Sequence, residues 1–234
     1  MTDWAVELKD VKKSYRTGPI EVPALRGISL QVAPGEFLAI AGPSGCGKTT
    51  LLNIIGGLDR ADSGEVLVEG KNLQLLSAGK LARLRLQRLG FVFQAYNLLP
   101  VLTALENAEF TLLLQGVPVE QRKERVHKLF AEIGLANLEH RRPGEMSGGQ
   151  QQRVAVARAM VTEPALILAD EPTANLDSAT ATALLEVMEQ LNRAHNVTFV
   201  YSTHDPLVME RARRLIRLRD GQIISDVEHA GQTL

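Results

Sequence analysis

Gly42-Pro43-Ser44-Gly45-Cys46-Gly47-Lys48-Thr49-Thr50 follows the apolar run Phe37-Leu38-Ala39-Ile40-Ala41 and precedes Leu51-Leu52-Asn53-Ile54-Ile55. The spacing is G-x-x-x-x-G-K-[ST], set between a strand-like run and a helix-like one, the context that a phosphate-cradling loop requires. Glycines let the backbone wrap close to a phosphate. The N–H groups of Gly45 to Thr49 are expected to point inward, with the following helix N-terminus adding favourable potential. Lys48 is expected to reach the β- and γ-phosphates, and the Thr49 hydroxyl to ligate Mg²⁺. The bland alternative is a chance glycine-rich turn, against which the flanking strand and helix argue. Cys46, beside Lys48 and a helix N-terminus, is expected to be a reactive thiolate that a maleimide attacks and MgATP protects. It is given no chemical role.

Further along, Ala165-Leu166-Ile167-Leu168-Ala169 runs into Asp170-Glu171-Pro172. Ligands of open parallel sheets sit beyond the carboxyl ends of the strands, so both acids are expected to face the phosphate site. Successive strand side chains point to opposite sides, which gives the two acids different work. Asp170 is the natural Mg²⁺ partner, and Glu171 is placed to polarise a water for in-line attack on the γ-phosphate. Two solvated acids opening a turn would be the structural alternative.

The rest of the 234 residues fits an α/β fold with an interruption. Residues 5–11 and Ile28 to Val32 alternate like strands, with a turn at Thr17-Gly18-Pro19. Glu65 to Val68 and Gly90 to Phe93 read as strands, with a helix over Ala78 to Leu89. Residues 103–162 carry three helical stretches, broken near Gly116-Val117-Pro118 and Arg142-Pro143-Gly144. After Glu163-Pro164, strand–helix alternation resumes with a helix over Ser178 to His195 and a strand over Val197 to Tyr201. Two short strands flank Asp220-Gly221. The reading is one domain, with residues 1–94 and 163–234 forming a core with an N-terminal antiparallel β subdomain, and residues 95–162 an all-helical subdomain.

Lys+Arg 26 against Asp+Glu 27 leaves a net charge of −1, with no basic excess to neutralise a run of phosphates. Nucleic acid is therefore not the expected partner. A single cysteine excludes an internal disulfide. The start, Met1 to Asp10, lacks the basic-then-apolar pattern of a signal peptide. Runs such as Phe37–Ala41 and Ala165–Ala169 are five residues long, against the roughly 20 that span a bilayer.

Glu145-Met146-Ser147-Gly148-Gly149-Gln150 narrows the choice among nucleotide-binding proteins. Read structurally, Ser147 caps a helix, Gln150 closes a capping box, and Val154, Ala157 and Val161 form the apolar stripe. Two glycines in a first turn cost helix stability, which makes sense if a phosphate approaches the backbone there. With this stretch the chain resembles the ATP-binding-cassette (ABC) ATPases over nearly its whole length. The motifs that carry the resemblance are Gly42–Thr49, Ser147–Gln150, Leu166–Glu171, Asn175-Leu176-Asp177 and Ser202-Thr203-His204, in the family's order. Met146 replaces the family's usual Leu.

The resemblance implies a nucleotide-binding (P-loop NTPase) core that binds ATP with Mg²⁺, and roles for further residues. Gln94 resembles the residue that touches Mg²⁺ or the attacking water and moves with the transport partner. His204 resembles the switch histidine on the γ-phosphate, and Asp177 the residue that links two sites across a dimer. Tyr15 stands where the family stacks an aromatic ring on adenine. In this family the signature of one subunit covers the ATP of the other, so a head-to-tail homodimer with two shared sites is implied. One motif set and no permease imply integral-membrane permease subunits on separate chains, and through them a periplasmic adaptor. The chain would then sit peripherally on the cytoplasmic face of the inner membrane.

Phe91 to Asn107, with Leu81-Ala82-Arg83-Leu84-Arg85 upstream, most resembles the cassettes of lipoprotein release and macrolide export. With little sequence after its last strands, the chain is expected to lack the extra C-terminal domain of many sugar importers. The apolar stretch 94–101, with Leu98 and Leu99, is expected to help form the groove for a short cytoplasmic helix of the permease. Rival readings are a soluble cassette acting on DNA or ribosomes, and a P-loop kinase. The first usually carries a coiled-coil insertion or two cassettes; the second has no need of Ser147–Gln150.

Overall fold

The computed structural model describes residues 4–228, so the reading of the first residues as a non-leader falls in part outside them. In chain order the strands and helices are β1 (Val6–Thr17), β2 (Ile20–Val32), β3 (Phe37–Ala41), α1 (Lys48–Ile55), β4 (Ser63–Val68), β5 (Lys71–Asn72), α2 (Ala78–Arg88) and β6 (Leu89–Phe93). Then come α3 (Ala104–Leu114), α4 (Val119–Glu132), α5 (Gly148–Met160), β7 (Leu166–Asp170), α6 (Ser178–His195), β8 (Thr198–Thr203), α7 (Pro206–Glu210), β9 (Arg214–Arg219) and β10 (Gln222–Glu228).

Two sheets result. One is antiparallel, in the order β2-β1-β4-β5, and the other runs β10-β9-β3-β8-β7-β6, parallel except for the pairing of β10 with β9. The five residues of β3 are all buried because both faces of the parallel sheet are covered. Leu38 and Ile40 pack with Leu166, Leu168, Val200 and the antiparallel sheet, while Phe37, Ala39 and Ala41 pack with Ile167, Phe199 and the helical insertion. The period-2 rule thus divides one apolar run between two cores.

The helical insertion is built as its sequence suggests. Thr103 and Glu106 form a capping box that opens α3, Gly116 at φ +77° ends it, and Pro118 leads into α4. Ser147 and Gln150 form a second capping box at the start of α5, and Val154, Ala157 and Val161 are buried as an apolar stripe. Three features depart from the expectation. The two short N-terminal strands are one long hairpin, with register from Val6↔Val32 to Thr17↔Ile20 and bulges between Leu8 and Val11 and between Lys13 and Ser14. Those bulges break the alternation that a pattern search relies on. The short strand β5 and the short helix α7 carried too little periodicity to be seen.

Candidate nucleotide-binding site

Four parallel strands end in a row. Register pairs Ala41 with Thr203, Ser202 with Asp170, and Asp170 with Phe93. The next residue of each strand is therefore placed along one edge: Gly42 after β3, His204 after β8, Glu171 after β7 and Gln94 after β6. Sequence positions far apart converge because parallel strands present all their carboxyl ends together.

The phosphate loop leaves β3 with Gly45 at φ +78° and Gly47 at φ +108°, conformations open to glycine. Gly42 is also sterically fixed, since a Cβ there would sit 2.6 Å from Cys46 Sγ and closer still to the Leu218 carbonyl. Helix α1 begins at Lys48, with Gly47 as its cap and no side chain capping it, so its first amides remain for a ligand. Lys48 is buried. Its Nζ donates to the carbonyls of Gly42 (2.8 Å) and Pro43 (3.2 Å) and lies 3.5 Å from Glu171 Oε1. Pro43, Ser44, Gly45 and Thr49 are exposed. Tyr15, exposed at its ring, donates through Oη to Asp59 Oδ2 at 2.7 Å and neighbours Thr50, which places an aromatic ring beside the start of α1.

Cys46 departs from the expectation. Its thiol is buried against Gly42 and the core, and burial pushes the thiol pKa up, outweighing the opposite pull of Lys48. Only its backbone belongs to the loop, where its N–H donates to the Pro43 carbonyl. Maleimide should therefore label the folded protein slowly and the urea-unfolded protein rapidly, with MgATP adding little protection. Rapid stoichiometric labelling of the folded chain would contradict this burial.

The two acids occupy different surroundings. Ser202 Oγ donates to Asp170 Oδ1 at 2.6 Å and accepts from the Glu171 N–H at 2.9 Å. Asp170 keeps its second oxygen for another partner. Glu171 has φ +46°, an uncommon left-handed backbone for a non-glycine residue, and its carboxylate bridges Lys48 (3.5 Å) and His204 Nδ1 (3.0 Å). Thr49, Asp170 and Gln94 together offer only oxygen donors in the right chemistry for a hard cation such as Mg²⁺.

The signature is presented on another element. Ser147 is exposed, its Oγ accepting from Gln150 N–H (3.3 Å) and Gln150 Oε1 accepting from Ser147 N–H (2.9 Å). Asp177 caps α6, and two hydrogen bonds from Thr180 hold its carboxyl below the usual range. Sequence reasoning missed the side chains that tie these parts together. Asn175 Nδ2 donates to the Gln94 carbonyl at 2.9 Å. Gln152, fully buried, donates through Nε2 to the carbonyls of Phe93 (3.3 Å) and Pro172 (2.7 Å). Its signal was available: 149, 152, 156 and 160 share one face of α5, and glutamine is the polar exception among buried residues. Ser202 left a similar signal as a polar residue in the wholly buried β8.

The family model described as ABC transporter matches residues 25–174. The macrolide export ATP-binding/permease protein MacB of Syntrophobacter fumaroxidans is 49% identical over 220 residues, covering 93% of this chain and 31% of that protein. The chain thus spans about a third of the length of the MacB relatives, 31% of this one and 35% of that from Hyphomonas neptunium. The lipoprotein-releasing system ATP-binding protein LolD of Anaeromyxobacter dehalogenans is 45% identical over 225 residues, covering 96% of this chain and 94% of that one. Among solved structures, the ATP-binding cassette MJ0796, a dimer in a post-hydrolysis state bound to ADP and Pi, is 40% identical. It superposes with a TM-score of 0.89 over 97% of this chain and 99% of its own. At this identity over nearly the whole of both chains the kinship goes beyond fold, and the chain belongs to the ABC transporter family as an ATP-hydrolysing cassette.

Proposed function

We propose that this chain binds MgATP at two shared sites in a head-to-tail homodimer and drives a membrane permease carried on a separate chain, of the lipoprotein-release or macrolide-export type. The observation that carries the reading is the division of the chemistry: phosphate loop and acids on one sheet edge, signature on an exposed helix N-terminus of the insertion. The relatives named for these two systems support the subfamily. Among the described residues no helix is long and apolar enough to cross a membrane, so the proposed place at the cytoplasmic face depends on the permease.

Within the site, the loop amides and Lys48 hold the β- and γ-phosphates, and Tyr15 stacks on the adenine. Mg²⁺, held by Thr49, Asp170 and Gln94, would neutralise charge on the phosphates. Glu171 accepts a proton from the attacking water as its oxygen bonds to the γ-phosphorus and the bond to the β-phosphate oxygen breaks. His204 donates to the γ-phosphate, and Ser202 fixes both acids. Ser147, Gly148, Gly149 and Gln150 close over the ATP of the other subunit, with Asp177 at the seam.

The permease is expected to dock beside β6, in an open groove of about 570 Å³ lined by Leu58, Leu86, Phe91, Phe93 and Leu114. The groove extends the expected stretch 94–101, which reaches it through Asn97; Leu98 packs against the main core, so the outward apolar residues of the stretch are Leu99, Pro100 and Val101. Leu58 and Leu114 are 46% and 58% exposed, so a charge there costs the fold little. Leu58→Asp and Leu114→Asp should keep ATP hydrolysis in isolation yet abolish co-purification with the permease and transport. Full co-purification of both variants would refute the groove.

A further inference from the structure

Both signature glycines stand against a side chain from another segment. A Cβ on Gly148 would sit 2.8 Å from Tyr96 Oη and 3.7 Å from its ring carbon. A Cβ on Gly149 would fall inside van der Waals contact of Thr180 Cγ2, while Thr180 Cβ lies at 3.8 Å. In each case one atom makes the clash.

The backbone that carries Tyr96 and the side chain of Thr180 are both held. Tyr96 and Asn97 adopt φ +55° and +51°, and Arg158, in the last turn of α5, donates to both their carbonyls at 2.9 and 2.5 Å. Gly148 and Arg158 are separated by about 15 Å along the helix axis. The Tyr96 side chain and the arginine cover that span end to end, so the tyrosine lies along the same helix that carries the signature. Among the described residues Arg158 has no carboxylate partner. Thr180 is held by its own bonds to Asp177, from N–H at 2.9 Å and from Oγ1 at 2.8 Å, which leave its methyl aimed at Gly149. Rotating that methyl away would break the Oγ1 bond.

We propose that Tyr96 and Thr180 are positioning residues for the signature turn: the hydroxyl of one against Gly148 and the methyl of the other against Gly149 set where Ser147 and the first amides of α5 stand. Phosphate approach is then not the sole reason for two glycines in a first turn. The loop after β6 and the first turn of α6 each need one missing Cβ. Movement of either segment shifts the signature, whose use across a dimer rests on the reading proposed above.

Single-atom substitutions test this. Gly148→Ala and Gly149→Ala should each lower kcat at least roughly tenfold. KM and calorimetric ATP affinity should change little, because each chain's own phosphate loop is intact. Tyr96→Phe removes the one clashing atom and should restore most of kcat to Gly148→Ala. Thr180→Ser removes the methyl, keeps the bond to Asp177, and should restore Gly149→Ala. Neither change should help the other glycine variant. Rescue in neither pair, or equal rescue in the mismatched pairs, would overturn the proposal. Failure of one pair strikes that residue from it. The same series in a Glu171→Gln background should show ATP-driven dimerisation lost and regained in parallel. If the Glu171→Gln chain with both glycines intact stays monomeric with ATP, the shared site is wrong, while the kcat rescue still decides the positioning.

Discussion

Glu171→Gln should lower ATP hydrolysis roughly 10²–10⁴-fold, about 3–5 kcal/mol of barrier, because a positioned base is lost while shape is kept. The carboxylate stands between Lys48 at 3.5 Å and His204 Nδ1 at 3.0 Å, so in the proposed roles one residue touches both the phosphate-binding cation and the γ-phosphate donor. Glutamine preserves hydrogen bonding to either neighbour but accepts no proton. Binding should survive, since the loop amides, Lys48, Thr49 and Asp170 do not depend on it. Two unhydrolysed ATP molecules should then hold two chains together. Gel filtration of the variant should show a monomer that becomes a dimer with ATP and not with ADP. Hydrolysis at the normal rate would refute the base assignment.

The parts of this site that could be read from sequence are those whose chemistry is local. The phosphate loop declares itself because the strand, the glycines, Lys48 and the helix are consecutive. Asp170 and Glu171 declare themselves because an apolar run ends on them. The capping box of Ser147 and Gln150 is likewise a three-residue rule that the structure obeys. What escaped depends on neighbours that no spacing reveals. The electropositive surroundings of Cys46 were correctly placed, but burial in the opposite direction wins, and burial is a property of the fold. The docking stretch was apolar for two reasons at once: Leu98 serves the core, whereas Leu99 faces outward. Gln152 and Arg158 act through backbone carbonyls of distant segments, and Ser202 through the Asp170 carboxylate and the Glu171 N–H. A polar residue in a buried face marked Gln152 and Ser202, but no spacing showed which partner each would find. The glycines of the signature were read as room for a phosphate; that Tyr96 and Thr180 also stand where their Cβ atoms would be could not be read, because those contacts come from distant segments.

Two inactive proteins should regain activity when mixed. Lys48→Ala removes a cation that is buried in the loop and donates to its carbonyls, and hydrogen bonds to charged groups contribute about 1.5–3 kcal/mol. That is roughly 10–150-fold in nucleotide affinity, and the variant should stay monomeric with ATP. Ser147→Arg keeps the phosphate loop and loses a helix cap, about 1 kcal/mol at an exposed position. It should fold, bind ATP and fail to dimerise, because an arginine stands where the partner's ATP must come. Each variant damages both sites of its own homodimer. In the mixed dimer, the loop of the Ser147→Arg chain meets the intact signature of the Lys48→Ala chain. The other site carries both lesions. One sound site per dimer is therefore restored, and hydrolysis should reappear on mixing at concentrations where neither protein alone is active. A site built within a single chain has no such route, so a mixture as inactive as its components would count against the shared arrangement. Dimerisation of the Ser147→Arg protein by itself would count against it equally.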